Sequence, residues 1–320
     1  MWIIRRLKKS WSRVTRASKK IVLPLFDGLS LYDVTSFFYE GVAEGSVTSR
    51  AGSIAYSFFL ALFPGIIFFF TLIPFFPVES LEQEIYDIFQ RILPPDTYDA
   101  TFSTIKDVLR NKRGGLLSVG FFLALIFSTN GISAIISNFN QTIHQIESRN
   151  FWQQMLVSFG LTIVLSVNFI IGIIVIIFSS DVLNGLLSFF GLEVISAFAV
   201  ELTRYTLLIL QVFIGIVLLY NYGPSGNRAW RFISPGAILA TVLIVVSSWG
   251  FSFYVANFNQ YNKLYGSIGT LMVILLWIYL NALVLIIGFE LNASIAGLKR
   301  RALAMEDEEA AKIAERRDNE

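Results

Sequence analysis

Six stretches of this chain are long and apolar enough to cross a bilayer, which limits the fold more than any other feature. A bilayer's hydrocarbon is about 30 Å thick, so a spanning helix needs about 20 mostly apolar residues. The stretches lie near 52–76, 115–136, 155–178, 205–222, 232–256 and 267–296. They contain no Lys or Arg, and their one acid is Glu290. Lipid cannot hydrogen-bond a backbone, so segments of this kind must satisfy themselves as helices. The expected fold is all-α: a polytopic membrane protein, a bundle of about six transmembrane helices with amphipathic interfacial helices. Composition agrees, with 15% charged residues against roughly 25% in a soluble domain.

Three regions follow. Residues 1–50 form a basic amphipathic segment, 51–297 the six-span membrane domain, and 298–320 a charged tail. In the first region Ile4, Leu7, Trp11, Val14 and Ile21 repeat at helical spacing, with Arg and Lys between them. Such a helix lies on an anionic leaflet. Membrane lipids, reached through residues 1–25, are therefore the expected partner, and nucleic acid is not expected. A short helix near Leu31–Gly41 should lead into the first span. Leu81, Ile85, Ile88 and Ile92, then Phe102, Ile105 and Leu109, mark two short amphipathic helices between spans one and two. Residues 185–202, interrupted by Glu193, read as an interfacial or re-entrant helix.

Loop charge sets orientation. With the termini inside, the inner segments hold 18 Lys/Arg and the outer segments 7. Both termini are expected in the cytoplasm, and 77–114 outside. No apolar core lies within the first ~30 residues, so no cleaved signal peptide is expected there.

Little chemistry is available. The chain has no Cys and one histidine, His144, in a polar loop. That leaves no thiol nucleophile, no His pair and no cysteine metal site. No GxxxxGK[ST] loop is present, so nucleotide use within the chain is not expected. No cofactor and no catalytic residue are expected.

Uncharged polar residues inside the spans say more. Span one carries Tyr56 and a mid-span Pro64, which removes a backbone hydrogen bond and should bend it. Span two carries Asn130, span three Asn168 and span four Gln211. These residues serve either as interhelical glue or as the lining of a polar groove. On span six, Thr270, Asn281, Gly288 and Asn292 fall within about 20° of one line at 100° per residue, so that stripe should face the bundle. Glu290 lies on the opposite face, near the end of the apolar core. It should either hydrate at the headgroups, pair with a basic residue of the amphipathic N-terminus, or serve as a functional intramembrane site.

Several motifs in order, "RAGSIAYSFFLALFPGI", "LLYNYGP", "RAWRFISPGAILATV" and "YGSIGTLMVILLWIYLNALVLIIGFELNASI", resemble the YihY/BrkB family of bacterial inner-membrane proteins, formerly misnamed ribonuclease BN. The likeness runs from about Arg50 to Ile295. It is strongest at Tyr56, Pro64, Tyr220, Pro224, Trp230, Pro235, Gly236, Tyr265, Gly266, Glu290 and Asn292. The resemblance implies a multi-pass protein of the bacterial inner membrane with no established activity. The family name attaches to serum resistance and virulence. Some relatives are associated with export of lipid A precursors, so transport or flipping of a lipid or amphipathic envelope component is the expected class. A non-transporting scaffold in envelope maintenance is the alternative, and a ribonuclease the remote one. A homo-oligomer stays open.

Overall fold

The computed structural model describes residues 21–22, 25–72, 113–142, 149–189, 197–226, 230–256 and 259–318. Among them are seven α-helices and no strand: α1 Leu31–Glu44, α2 Val47–Leu72, α3 Gly114–Asn140, α4 Phe151–Phe189, α5 Ala197–Tyr222, α6 Pro235–Ala256 and α7 Asn259–Asp318. Six carry a segment long and apolar enough to cross a membrane: Val47–Phe68, Gly114–Asn140, Phe151–Ile174, Glu201–Tyr222, Pro235–Val255 and Leu271–Ile313. The chain is thus a polytopic all-α membrane protein. Of the amphipathic helix expected over residues 1–25, positions 1–20 lie outside the described residues, and Ile21 and Val22 are not helical, Val22 bridging Ser30 instead. The segment 73–112 and His144 also lie outside the described residues. The stretch 185–202 is divided. Its first five residues end α4, its last six begin α5, and 190–196 are outside the described residues.

Two compact units are present, Met1–Ala55 with Ile132–Glu320, and Tyr56–Gly131. The larger holds α1, the start of α2, the end of α3 and helices α4 to α7. Its helix ends show why the chain turns where it does. Ser30 caps α1, its hydroxyl accepting from the Asp33 amide at 3.1 Å. Gly45 ends α1, donating its N–H to the Gly41 carbonyl at 3.0 Å. A Cβ at Gly45 would lie 2.2 Å from that carbonyl oxygen, so only glycine fits. Phe26, Val34 and Ile295 bury together and seat α1 on α7. The exposed face of α1 carries Asp33, Glu40 and Glu44.

At the other helix ends, Arg149 donates to the carbonyls of Tyr222, Gly223 and Pro224, oxygens that the last turn of α5 leaves without helical donors. Gln154 on α4 donates to Ser133 and Ser137 of α3 at 3.0 and 2.6 Å. Gln211 on α5 donates to the Asn168 carbonyl of α4. α6 opens with Ser234 as cap and Pro235 as its first residue, a position where the missing N–H costs nothing.

α7 is longer than the apolar stretch 267–296 suggests. It has 60 residues, no Pro, and no Gly beyond Gly297. Nothing breaks it, and the Glu308–Lys312 pair at 2.6 Å supports its polar end.

The smaller unit comprises the remainder of α2 and the first part of α3. Gly120 lets these two helices approach, since a Cβ there would lie 3.3 Å from the Phe68 backbone. Phe68 and Phe121 meet at 5.5 Å beside it. Gly131 packs in the same way on the Phe58 ring.

Candidate functional site

The larger unit buries one acid and one base together. Glu290 on α7 is 0% exposed and Arg50, in the first turn of α2, is 4% exposed. Arg50 Nη1 donates to Glu290 Oε1 at 2.5 Å. Thr142, just past α3, donates its hydroxyl to Glu290 Oε2 at 2.7 Å, so both carboxylate oxygens are engaged. The rest of the guanidinium goes to backbone: Nε and Nη2 donate to the Asn138 carbonyl at 2.9 and 2.5 Å, and Nη1 also donates to the Gly45 carbonyl at 3.1 Å. The glycine that ends α1 therefore also holds the arginine. Asn138 is fixed in turn, donating to the Ala134 carbonyl at 2.7 Å.

This arrangement corrects one sequence expectation. Glu290 does not hydrate at the headgroups: it is dry, inside the protein. Its partner is a cation, as charge balance requires: Arg50, the last residue of the N-terminal segment 1–50. Two ions buried this way lose several kcal/mol of hydration each, an amount that close pairing roughly offsets. One wall of the cluster is aromatic. Phe139 and Phe289, the sequence neighbours of Asn138 and Glu290, stack at 4.2 Å and 10°. Tyr220 meets both rings edge-on and donates its hydroxyl to the Leu285 carbonyl at 2.6 Å.

Asn292, two residues on, grips a different neighbour. Its Oδ1 accepts the Gly236 amide at 2.8 Å and its Nδ2 donates to Ser234 at 3.0 Å. It thus completes the N-terminal cap of α6, whose first amides have no helical acceptor. Gly236 and Gly288 bring α6 and α7 into backbone contact here: a Cβ on Gly236 would lie 2.1 Å from the Gly288 oxygen.

The other sequence candidates stand elsewhere. Asn281 is half-buried and donates to the Trp277 carbonyl of its own helix at 2.8 Å. Asn168 packs against Gly215 of α5. Tyr265 and Gly266 fall in the second turn of α7. Tyr56 (exposed), Pro64 (buried, within α2) and Asn130 (exposed) belong to the smaller unit. The sequence reading missed Arg50, Asn138 and Thr142. A signal for Arg50 existed: it is the charged residue nearest the start of span one, and a buried acid needs a base.

The cluster sits within a region that known proteins share. The family described as Virulence factor BrkB matches residues 38–314. This chain belongs to the BrkB family. A Bacillus subtilis protein named ribonuclease-like protein YfkH is 31% identical over 79% of this chain and 91% of its own length. UPF0761 membrane proteins of Pseudoalteromonas translucida and Stenotrophomonas maltophilia are 26% and 25% identical, over 79% and 82% of this chain. The match spans 82% of the first of these and 61% of the second. No solved structure matches. The ribonuclease-like name is the Bacillus protein's label and shows no enzymatic activity for the BrkB chain.

Proposed function

We propose that this BrkB-family chain moves a lipid or amphipathic envelope component across the bacterial inner membrane, with the Arg50–Glu290 pair as a polar element that must open during transport. The observation that carries this reading is the fully buried carboxylate in a membrane helix. Ionisable groups in such places mark pathways and relays more often than joints. Two apolar side chains would join the same helices without a desolvation penalty. The alternative, a non-transporting scaffold, draws support from the completeness of the cluster, where both carboxylate oxygens and all three guanidinium nitrogens are engaged.

The Arg50→Met/Glu290→Leu double variant separates the two readings, because it removes both charges and keeps the volume. The assay follows fluorescent phospholipid in proteoliposomes, using dithionite to report the outer leaflet. Wild type is expected to move lipid above empty vesicles, and the folded double variant to be at least tenfold slower. Wild-type vesicles no faster than empty ones, or a double variant at full rate, would end the transport reading for this cluster.

We place both termini in the cytoplasm, on the strength of loop charge. In this cysteine-free chain, a cysteine at Ser103 should react with an impermeant thiol reagent added to intact cells, and one at Ala310 only after lysis. The opposite labelling would invert the orientation.

A further inference from the structure

We infer that the larger unit carries a second, separate site, a cradle for the phosphate of an anionic phospholipid between Arg231 and Lys299. Both cations lean on one oxygen. Arg231 Nη2 lies 2.5 Å and Lys299 Nζ 3.5 Å from Asp27 Oδ2. Two positive charges against one negative leave one unit over, and a phosphodiester supplies that unit. Both cations remain reachable, their side chains 42% and 53% exposed.

The cradle is held in advance. Asn221 clamps the Arg231 backbone from both sides, donating to its carbonyl at 3.0 Å and accepting its amide at 2.9 Å. Asp27 sits in a tight turn, at φ 54° before Gly28 at φ 84°. Phe26, next to it, is buried against α7. The guanidinium of Arg231 keeps the Asp27 carboxyl below the usual carboxylate range, so the counter-charge is present at neutral pH.

The surroundings fit a lipid better than a free anion. Trp230 and Tyr222 pair at 5.1 Å beside Arg231, both exposed, and amphipathic rings of this kind favour headgroup depth. Phe232 is exposed on the other side of Arg231, on the approach to the membrane helix α6. A basic pair edged by aromatic and apolar surface, where two membrane helices reach the interface, suits a headgroup with acyl chains beneath it. The site is independent of the transport reading, since neither Arg50 nor Glu290 takes part.

The test counts lipids retained by the full-length protein after extraction from nanodiscs of equal phosphatidylglycerol and phosphatidylcholine, read by native mass spectrometry. Wild type should retain phosphatidylglycerol in preference. Arg231→Gln and Lys299→Gln should each lower that preference about five-fold, from about 1 kcal/mol per cation near a membrane surface. Asp27→Asn should raise it, because it frees both cations. A merely structural role predicts losses in the same direction for all three variants, so a fall with Asp27→Asn would overturn the proposal. So would an unchanged preference in the Arg231→Gln/Lys299→Gln double variant. If Arg5→Gln/Arg6→Gln/Lys8→Gln/Lys9→Gln alone abolishes the preference, the N-terminal segment holds the lipid and the cradle does not. Displacement by millimolar inorganic phosphate would make the site one for free anions and also overturn it.

Discussion

Arg50→Met should destabilise the protein by about 3–5 kcal/mol, the cost of leaving one buried charge without its partner. Glu290→Leu should cost a similar amount, because Arg50 is only 4% exposed and would be left without its counter-charge. Combined, the two changes should recover most of the loss, since the double variant buries no charge. Thr142 and the carbonyls of Gly45 and Asn138 would still lose donors or acceptors, so recovery should fall short by the worth of a few hydrogen bonds, about 1 kcal/mol each. Unfolding in mixed micelles with increasing dodecyl sulfate, followed by circular dichroism, measures all four proteins. A double variant as unstable as either single would mean that the pair does more than neutralise itself.

Gly288→Ala should also be strongly damaging. Its methyl would lie 2.6 Å from the Gly236 carbonyl oxygen, 2.6 Å from the Tyr220 hydroxyl and 2.7 Å from the Ala240 Cβ. The backbone oxygen cannot swing away, and Tyr220 is tied to Leu285. Overpacking costs about 1–3 kcal/mol in ordinary cores and occasionally more; the upper part of that range is expected where backbone meets backbone. The gain of about 1 kcal/mol in helix propensity does not cover it. Gly250→Ala on α6 is the control, as nothing lies within 4 Å of its added methyl. It should be neutral or slightly stabilising in the same unfolding series. Equal losses at Gly288 and Gly250 would contradict the close crossing of α6 and α7.

The spans were legible because apolar length is a local property that any stretch of about 20 residues displays by itself. Six spanning helices appear among the described residues, and α4 and α7 run on past their apolar stretches. The residues after them read as separate units, an interfacial or re-entrant helix at 185–202 and a charged tail from 298, because charge interrupts the apolar run. Charge does not stop a helix that lacks Pro, as the course of α7 through Lys299–Arg301 shows. Glu290 was conspicuous for the same local reason, being the one acid within an apolar stretch. Its partner was not. Arg50 is 240 positions away and stands two residues before the first apolar stretch, so it reads as loop charge. Asn138 takes part through its carbonyl, a group that every residue carries, so no sequence pattern can announce it. The Gly236–Gly288 contact lay half in view. Gly288 fell on the small and polar stripe, but Gly236 sits in a Ser-Pro-Gly turn motif that explains its presence without a neighbouring helix.

Glu290 and Asn292 are two positions apart on α7, so their side chains leave the axis about 200° apart. One engages Arg50 at the start of α2, the other the first turn of α6. A helix gripped on nearly opposite sides at one level behaves as a keyed shaft. Turning α7 by a single residue about its own axis would break both grips together, whereas rocking α7 about that level would load each of them only slightly. A tilt pivoting near Glu290 is therefore the motion of α7 that these two grips resist least. Each end, about 45 Å from the pivot at 1.5 Å per residue, would then sweep several ångströms for a small change at the pivot.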